Sequence, residues 1–232
     1  MAKKEVTPLS FEPMKQTLIK AQLIGTGDLI LHKKNRLFEM SEIYKQDHPK
    51  GTKLPRNLDQ MLNKNKWEML ITSVTWEKPI VFHDDDPMEY SEEEWRDYMS
   101  TNRPCILSAA FAGAMAECFK TFFKDATGKA GTDFRRAVNV VKNRFPVSFE
   151  SVRADDILVP NTGMNKTNVV SHQNVFSGWS CDLELMSVDS VFPPELIVEV
   201  LATTGKFIGV GTQRKNGYGH WELGTIEMLP IA

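Results

Sequence analysis

Apolar and polar positions alternate with a period of two over residues 179–188 and again over 220–228, which predicts two half-buried strands near the C-terminal end. A third β-type stretch, residues 17–31, is interrupted by Gly25 and Gly27 and reads as one long strand with a bulge. Residues 146–152, 157–160 and 168–176 read as further extended segments, with a polar turn over 161–168. Helical spacing is clearest over 104–124, where Leu107, Phe111, Met115 and Phe119 recur on one face, and many small residues allow close packing on a sheet. On this reading that helix is core. A second helix begins at the Pro193-Pro194 pair and runs through Leu201. Between the first strand and the first helix lies a polar stretch, 32–65, with a short helix expected over 39–44. An apolar pattern over 67–82 then suggests a strand or hairpin around Ser73-Val74-Thr75-Trp76. Eight acids fall between Asp84 and Asp97 against Arg96 alone, and Ser91-Glu92-Glu93-Glu94 has the form of a helix start.

With insertions removed, the order is β-α-β-β-α-β. This predicts an α+β fold with a ferredoxin-like (RRM-like) core, both helices on one face of the sheet and the other face open. A chain of 232 residues can bury a substantial core, so one domain over residues 1–232 is expected, with 33–103 as an inserted subdomain and 125–178 as a thumb-like excursion.

The formal net charge is -2, so any nucleic-acid site must come from local clustering. One cluster stands out. Residues 120–144 carry Lys120, Lys124, Lys129, Arg135, Arg136, Lys142 and Arg144 against Asp125 and Asp133, seven positive less two negative. The alternative is a merely solvated basic face. Cys105, Cys118 and Cys181 are odd in number and share no C-x-x-C spacing, which supports neither a disulfide framework nor structural zinc. No metal or cofactor is expected. The first residues lack the apolar core of a signal peptide and no run approaches a membrane span, so a cytoplasmic location and no membrane partner are expected.

The most distinctive segment is residues 206–221, where Gly209, Gly211, Gly217 and Gly219 bracket a basic, polar tip. A helix precedes it and a strand follows, the reverse of a dinucleotide-binding or P-loop fingerprint. Glycines there permit positive φ and close backbone approach, while Arg214, Lys215 and Tyr218 offer charges and a ring to a nucleic-acid strand. The alternative is a glycine turn with no ligand. Trp179, Tyr218 and Trp221 suit base stacking, worth about 1–3 kcal/mol each, if they are exposed. Lys166, in the polar turn, and Arg135 and Arg136 are further candidate phosphate contacts.

None of the histidines His32, His48, His83, His172 and His220 forms a zinc-enzyme pair, and no G-x-S-x-G elbow occurs. His172 and His32 are the candidates for general acid-base work on an RNA 2′-hydroxyl, and His172 is equally a candidate phosphate contact. The segments 17–32 and 104–124, the stretch from Val169 to Trp179 and the closing Phe207-Ile208-Gly209-Val210-Gly211 to Gly217-Tyr218-Gly219-His220-Trp221 resemble the RAMP superfamily. That superfamily includes the backbone subunits of CRISPR effector complexes and a group of phage proteins built the same way. The resemblance implies a ferredoxin-like core with a thumb, assembly along a nucleic-acid strand, and no catalysis. RNA-processing relatives use a histidine near the first helix, whereas His32 precedes the long insertion and residues 104–124 contain none. The expectation is a non-catalytic binder of single-stranded RNA or DNA, either a homo-oligomer or a subunit of a larger nucleoprotein assembly. A metal-independent endoribonuclease and a structural subunit without nucleic-acid binding are the alternatives.

Overall fold

The structure, a computed structural model, describes residues 14–33, 36–53, 56, 65–80, 90–160 and 168–231. Its first sheet is antiparallel throughout, in the order β3-β5-β8-β1-β9. These strands are β1 (Gln16–Gly25), β3 (Cys105–Leu107), β5 (Arg144–Ser148), β8 (Ser180–Val188) and β9 (Trp221–Ile231). A short strand, β4 (Val138–Val140), extends the line of β5 along the same edge of β8. β1 shows why the sheet has two unlike faces. Thr17, Ile19, Ala21 and Leu23 are buried, while Lys20, Gln22 and Ile24 are exposed.

The buried side packs on two helices, α4 (Ser108–Cys118) and α7 (Pro194–Phe207). Phe111 stands edge-on to Phe145 of β5 and to Trp221 of β9, at 5.6 and 6.1 Å between ring centroids. Ile197, Val200 and Leu201 of α7 join the same core, and the Cys118 thiol donates to the Val200 carbonyl at 3.7 Å. Complete burial of residues such as Ile19, Leu183 and Leu185 is worth about 1.5–3 kcal/mol each. One wide turn, the π-helical Phe119–Phe123, carries α4 on into α5 (Lys124–Thr127), and α6 (Gly131–Ala137) returns to pack against α4.

The second sheet has the order β2-β7-β6. β6 (Ser151–Pro160) and β7 (Asn168–Ser177) pair along their whole length as a hairpin, and β2 (Leu29–Leu31) pairs with the base of β7. The first β-type stretch is therefore two strands in two sheets. The chain turns at Thr26-Gly27-Asp28 because the Trp179 indole packs against Gly25 and donates to the Gly27 carbonyl at 2.9 Å. A register irregularity does occur, near Gln22 against β9.

Three helices of the polar region pack beside the hairpin: α1 (Arg36–Gln46), α2 (Lys66–Thr72) and α3 (Glu92–Thr101). Over 67–80, the described part of the stretch expected to be a strand or hairpin, the chain forms α2 and then a run whose β pairing is a single bridge, Trp76 to Pro104. The Asn65 side chain caps the first turn of α2 by accepting from the Glu68 amide. Ser91 and Glu94 form the expected capping box of α3. Buried Asn174 of β7 ties the parts together, accepting from the Trp95 indole at 2.9 Å and donating to the Leu70 carbonyl at 2.7 Å. The helix expected from Pro104 begins only at Ser108. Cys105–Leu107 pairs with β5, and Leu107 is exposed rather than in the helix core stripe.

Candidate nucleic-acid interface

The small residues of α4 decide where a ligand can lie. Phe111, Met115 and Cys118 face the core, whereas Ala109, Ala110, Gly113 and Glu117 fall on the opposite side and line a groove of about 830 Å³. The helix expected to be core alone thus has a second, groove-lining face. Spacing of alanine, glycine and glutamate at 109, 110, 113 and 117 carried that signal. A Cβ added at Gly113 would meet nothing within 4 Å, so the groove floor is open there.

Three elements supply the rim. Lys120 and Lys124 come from the continuation of α4, Arg135 from α6, and Arg214 from the glycine loop. Four cations therefore line the groove against one carboxylate, Glu117, which lies 3.4 Å from the Arg214 guanidinium. Both partners of that pair are substantially exposed, so the contact is weak and can be displaced by an anion. Lys120 and Lys124 belong to the basic cluster seen in the sequence but were not singled out as contacts.

The glycine loop is a built structure. Val210 donates to the Gly219 carbonyl at 2.9 Å, Gly219 to Asp28 at 2.8 Å, and Thr212 to Ile30 at 2.9 Å. These bonds hold the loop against the turn between β1 and β2. At Gly211 (φ 79°) and Gly219 (φ 70°) a side chain would strike the Ile30 and Val210 carbonyls, so only glycine fits. Gly209 is buried with its neighbour Val210, while Lys215 sits at the exposed tip in a single 3₁₀ turn, Arg214–Asn216, which the exposed Gly217 caps. Tyr218 is half-buried. The His220 ring lies against the Gly205, Lys206 and Arg214 carbonyls and so pins the tip to the end of α7.

Of the residues singled out in the sequence, Arg214, Arg135 and Gly211 meet in the groove. Arg136 is exposed on α6 but does not line it, and Lys166 lies outside the described residues, as do Asp84 to Asp86. His172 is on the hairpin, with Nδ1 2.8 Å from the Asp156 carboxylate, which also holds Lys66 at 3.0 Å. His172 and Lys66 keep that carboxyl below its usual range. Trp179 and Trp221 are 1% and 2% exposed, so their rings are core and offer no stacking surface. Burial raises the Cys105 and Cys181 thiols to about 11 and about 12, leaving both protonated at neutral pH.

The open face of the first sheet, the other surface a strand could use, has the wrong chemistry. Its register brings Asp182, Glu184, Glu222 and Glu227 around Lys20, with no aromatic ring among these partners. Glu184 pairs with Lys142 at 2.6 Å, and the remaining carboxylates outnumber Lys20, so this face offers an anion less than the groove does. Among the described residues, no group of three His, Cys, Asp or Glu side chains could hold a metal ion, and no helix is long and apolar enough to cross a membrane.

No protein-family model matches the sequence, and no curated protein matches it. Among solved structures the chain is similar to one in the cryo-EM structure of the Type III-B Cmr-beta bound to cognate target RNA. The two are 14% identical with a TM-score of 0.49, over 94% of this chain and 62% of that one. This chain thus accounts for less than two thirds of the other's length, and a likeness of that extent says nothing about what it binds.

Proposed function

We propose that this protein is a non-catalytic binder of single-stranded nucleic acid that seats the phosphate backbone in the groove between α4, α6 and the glycine loop. The carrying observation is that Arg135 and Arg214, from segments far apart in the sequence, line one groove with Lys120 and Lys124 over a floor of small residues. A floor of alanine and glycine lets a strand approach the helix, and a rim of cations neutralises its charge. The sequence resemblance to the RAMP superfamily points the same way. In this reading the first sheet and its two helices are a ferredoxin-like core, supported by the order β9-β1-β8 followed by the β4-β5 edge. The thumb-like excursion is then the β6–β7 hairpin, since 138–148 run along β8.

Fluorescence anisotropy on labelled single strands over a range of salt tests the proposal. The double variant Arg135→Glu, Arg214→Glu should weaken binding and flatten the log-log salt slope by about 0.7 for each phosphate that is no longer neutralised. Unchanged affinity and slope would remove the groove from consideration. Incubating labelled RNA with the protein in EDTA should leave it intact. A cyclic phosphate product would instead establish the endoribonuclease reading.

A further inference from the structure

His32 follows β2 directly and lines a second, smaller crevice of about 220 Å³. Ala110 and Gly211 border both this crevice and the basic groove, so the two adjoin. Among the described residues the buried Nδ1 of His32 has no hydrogen-bond partner. Burial lowers the affinity of the ring for a proton, which keeps it neutral at pH 7. A neutral imidazole carries one N–H and one bare lone pair. Sealing an N–H without an acceptor is the rarer and costlier arrangement, so the proton belongs on Nε2 and the lone pair on Nδ1. Among the described residues no acceptor pairs with the Nε2–H. Nδ1 is the ring nitrogen sealed from solvent, so the Nε2–H is the group that a ligand in the crevice can reach.

We propose that the His32 crevice receives an uncharged acceptor of the bound strand, a nucleobase carbonyl or a ribose oxygen, through the Nε2–H of His32. The proposal rests on the groove holding a nucleic-acid strand. It divides the labour between two places: phosphates sit against Arg135, Arg214, Lys120 and Lys124, and His32 reads an uncharged group beside them. Thr75 and Thr212 also line the crevice, the Thr212 hydroxyl donating to the Ile30 carbonyl at 3.5 Å, and Lys33 stands at its border. Gly211 lines both crevice and groove, packed so closely against the Ile30 carbonyl that no side chain fits there.

The experiment compares wild type, His32→Ala and the Arg135→Glu, Arg214→Glu variant on a labelled RNA and on the 2′-deoxy strand of the same sequence, each over a range of salt. His32→Ala should lose about three- to tenfold in affinity, the worth of one hydrogen bond, with an unchanged salt slope because every phosphate stays neutralised. A loss confined to RNA identifies the ribose 2′-hydroxyl, and an equal loss on both strands identifies a base carbonyl or the sugar ring oxygen. If His32→Ala binds like wild type while the arginine variant is weakened, the crevice proposal fails and the groove stands. If wild type binds neither strand, both fail together. A reading independent of any variant comes from ¹⁵N-histidine NMR of wild type. Titration with RNA should shift the protonated Nε2 of His32 and leave a neutral ring, and an unmoved resonance, or an imidazolium signal, overturns the proposal.

Discussion

Single side chains set the balance of charge at the groove and the integrity of the turn behind it. Glu117 opposes the four cations and competes with a phosphate for Arg214. Glu117→Gln should therefore strengthen strand binding about two- to fivefold, as expected for releasing a weak exposed pair, measured by anisotropy at low salt. Asp28 does structural work at the other end of the loop. Its carboxylate accepts from the Ser177 hydroxyl at 2.7 Å and from Arg153 at 2.8 Å, and these contacts, Ser177 first, hold its pKa below the usual carboxylate value. A depressed folded-state pKa contributes stability that is present above the unfolded value, about 3.9, and is lost as pH falls through the folded value. Asp28→Asn should lower Tm at pH 7 by about 2–4 °C, equivalent to about 1 kcal/mol in a chain of this size. That deficit should shrink in scans below about pH 4, whereas a deficit constant with pH would mean the ionised carboxylate is not what matters.

At the scale of elements, α4 combines two tasks on opposite sides. Its core stripe requires Phe111 and Met115, and its outer stripe requires the absence of bulk. Gly113 separates them experimentally. Gly113→Ala should stabilise the fold by about 0.5–1 kcal/mol in urea melts, since the helix gains propensity and the added methyl meets open space. Gly113→Phe should retain the fold and abolish strand binding by filling the groove. Retained affinity would place the strand elsewhere. The wide turn Phe119–Phe123 sits where α4 continues toward Lys124, a position at which such turns often mark functional sites.

At the scale of the molecule, β9 ends the first sheet with its outer edge unpaired among the described residues. Ile226, Met228, Leu229 and Ile231 along it are 36–45% exposed. An edge of this length and apolar content is a template for pairing, and it is where the assembly of copies expected from the sequence resemblance can be tested. Light scattering of protein with long single strands should show particles larger than one protomer. Met228→Lys with Leu229→Glu should reduce their size while sparing affinity for a short strand, and unchanged size would move the interface between copies away from β9.

Much of the architecture was legible because it depends on local periodicity. The period-two runs of β8 and β9, the extended reading of β7, the proline start of α7, the capping box of α3 and the glycine loop between helix and strand all follow from neighbours a few residues apart. Where long-range contacts outweighed local preference, the pattern misled. Trp179 breaks the first β-type stretch at Gly25, and Cys105–Leu107 is drawn into pairing with β5 instead of opening the helix. The candidate site shows the same division. Sequence alone picked out Arg214 and Arg135 by charge and Gly211 by its pattern, because residue type limits what a side chain can contact. Only the tertiary structure brought them over the bare face of α4, buried the two tryptophans, made the open sheet face acidic and left His32 beside the groove. Those outcomes depend on which distant segments pack together, and the burial and long-range pairing that decide this are properties of the folded chain as a whole.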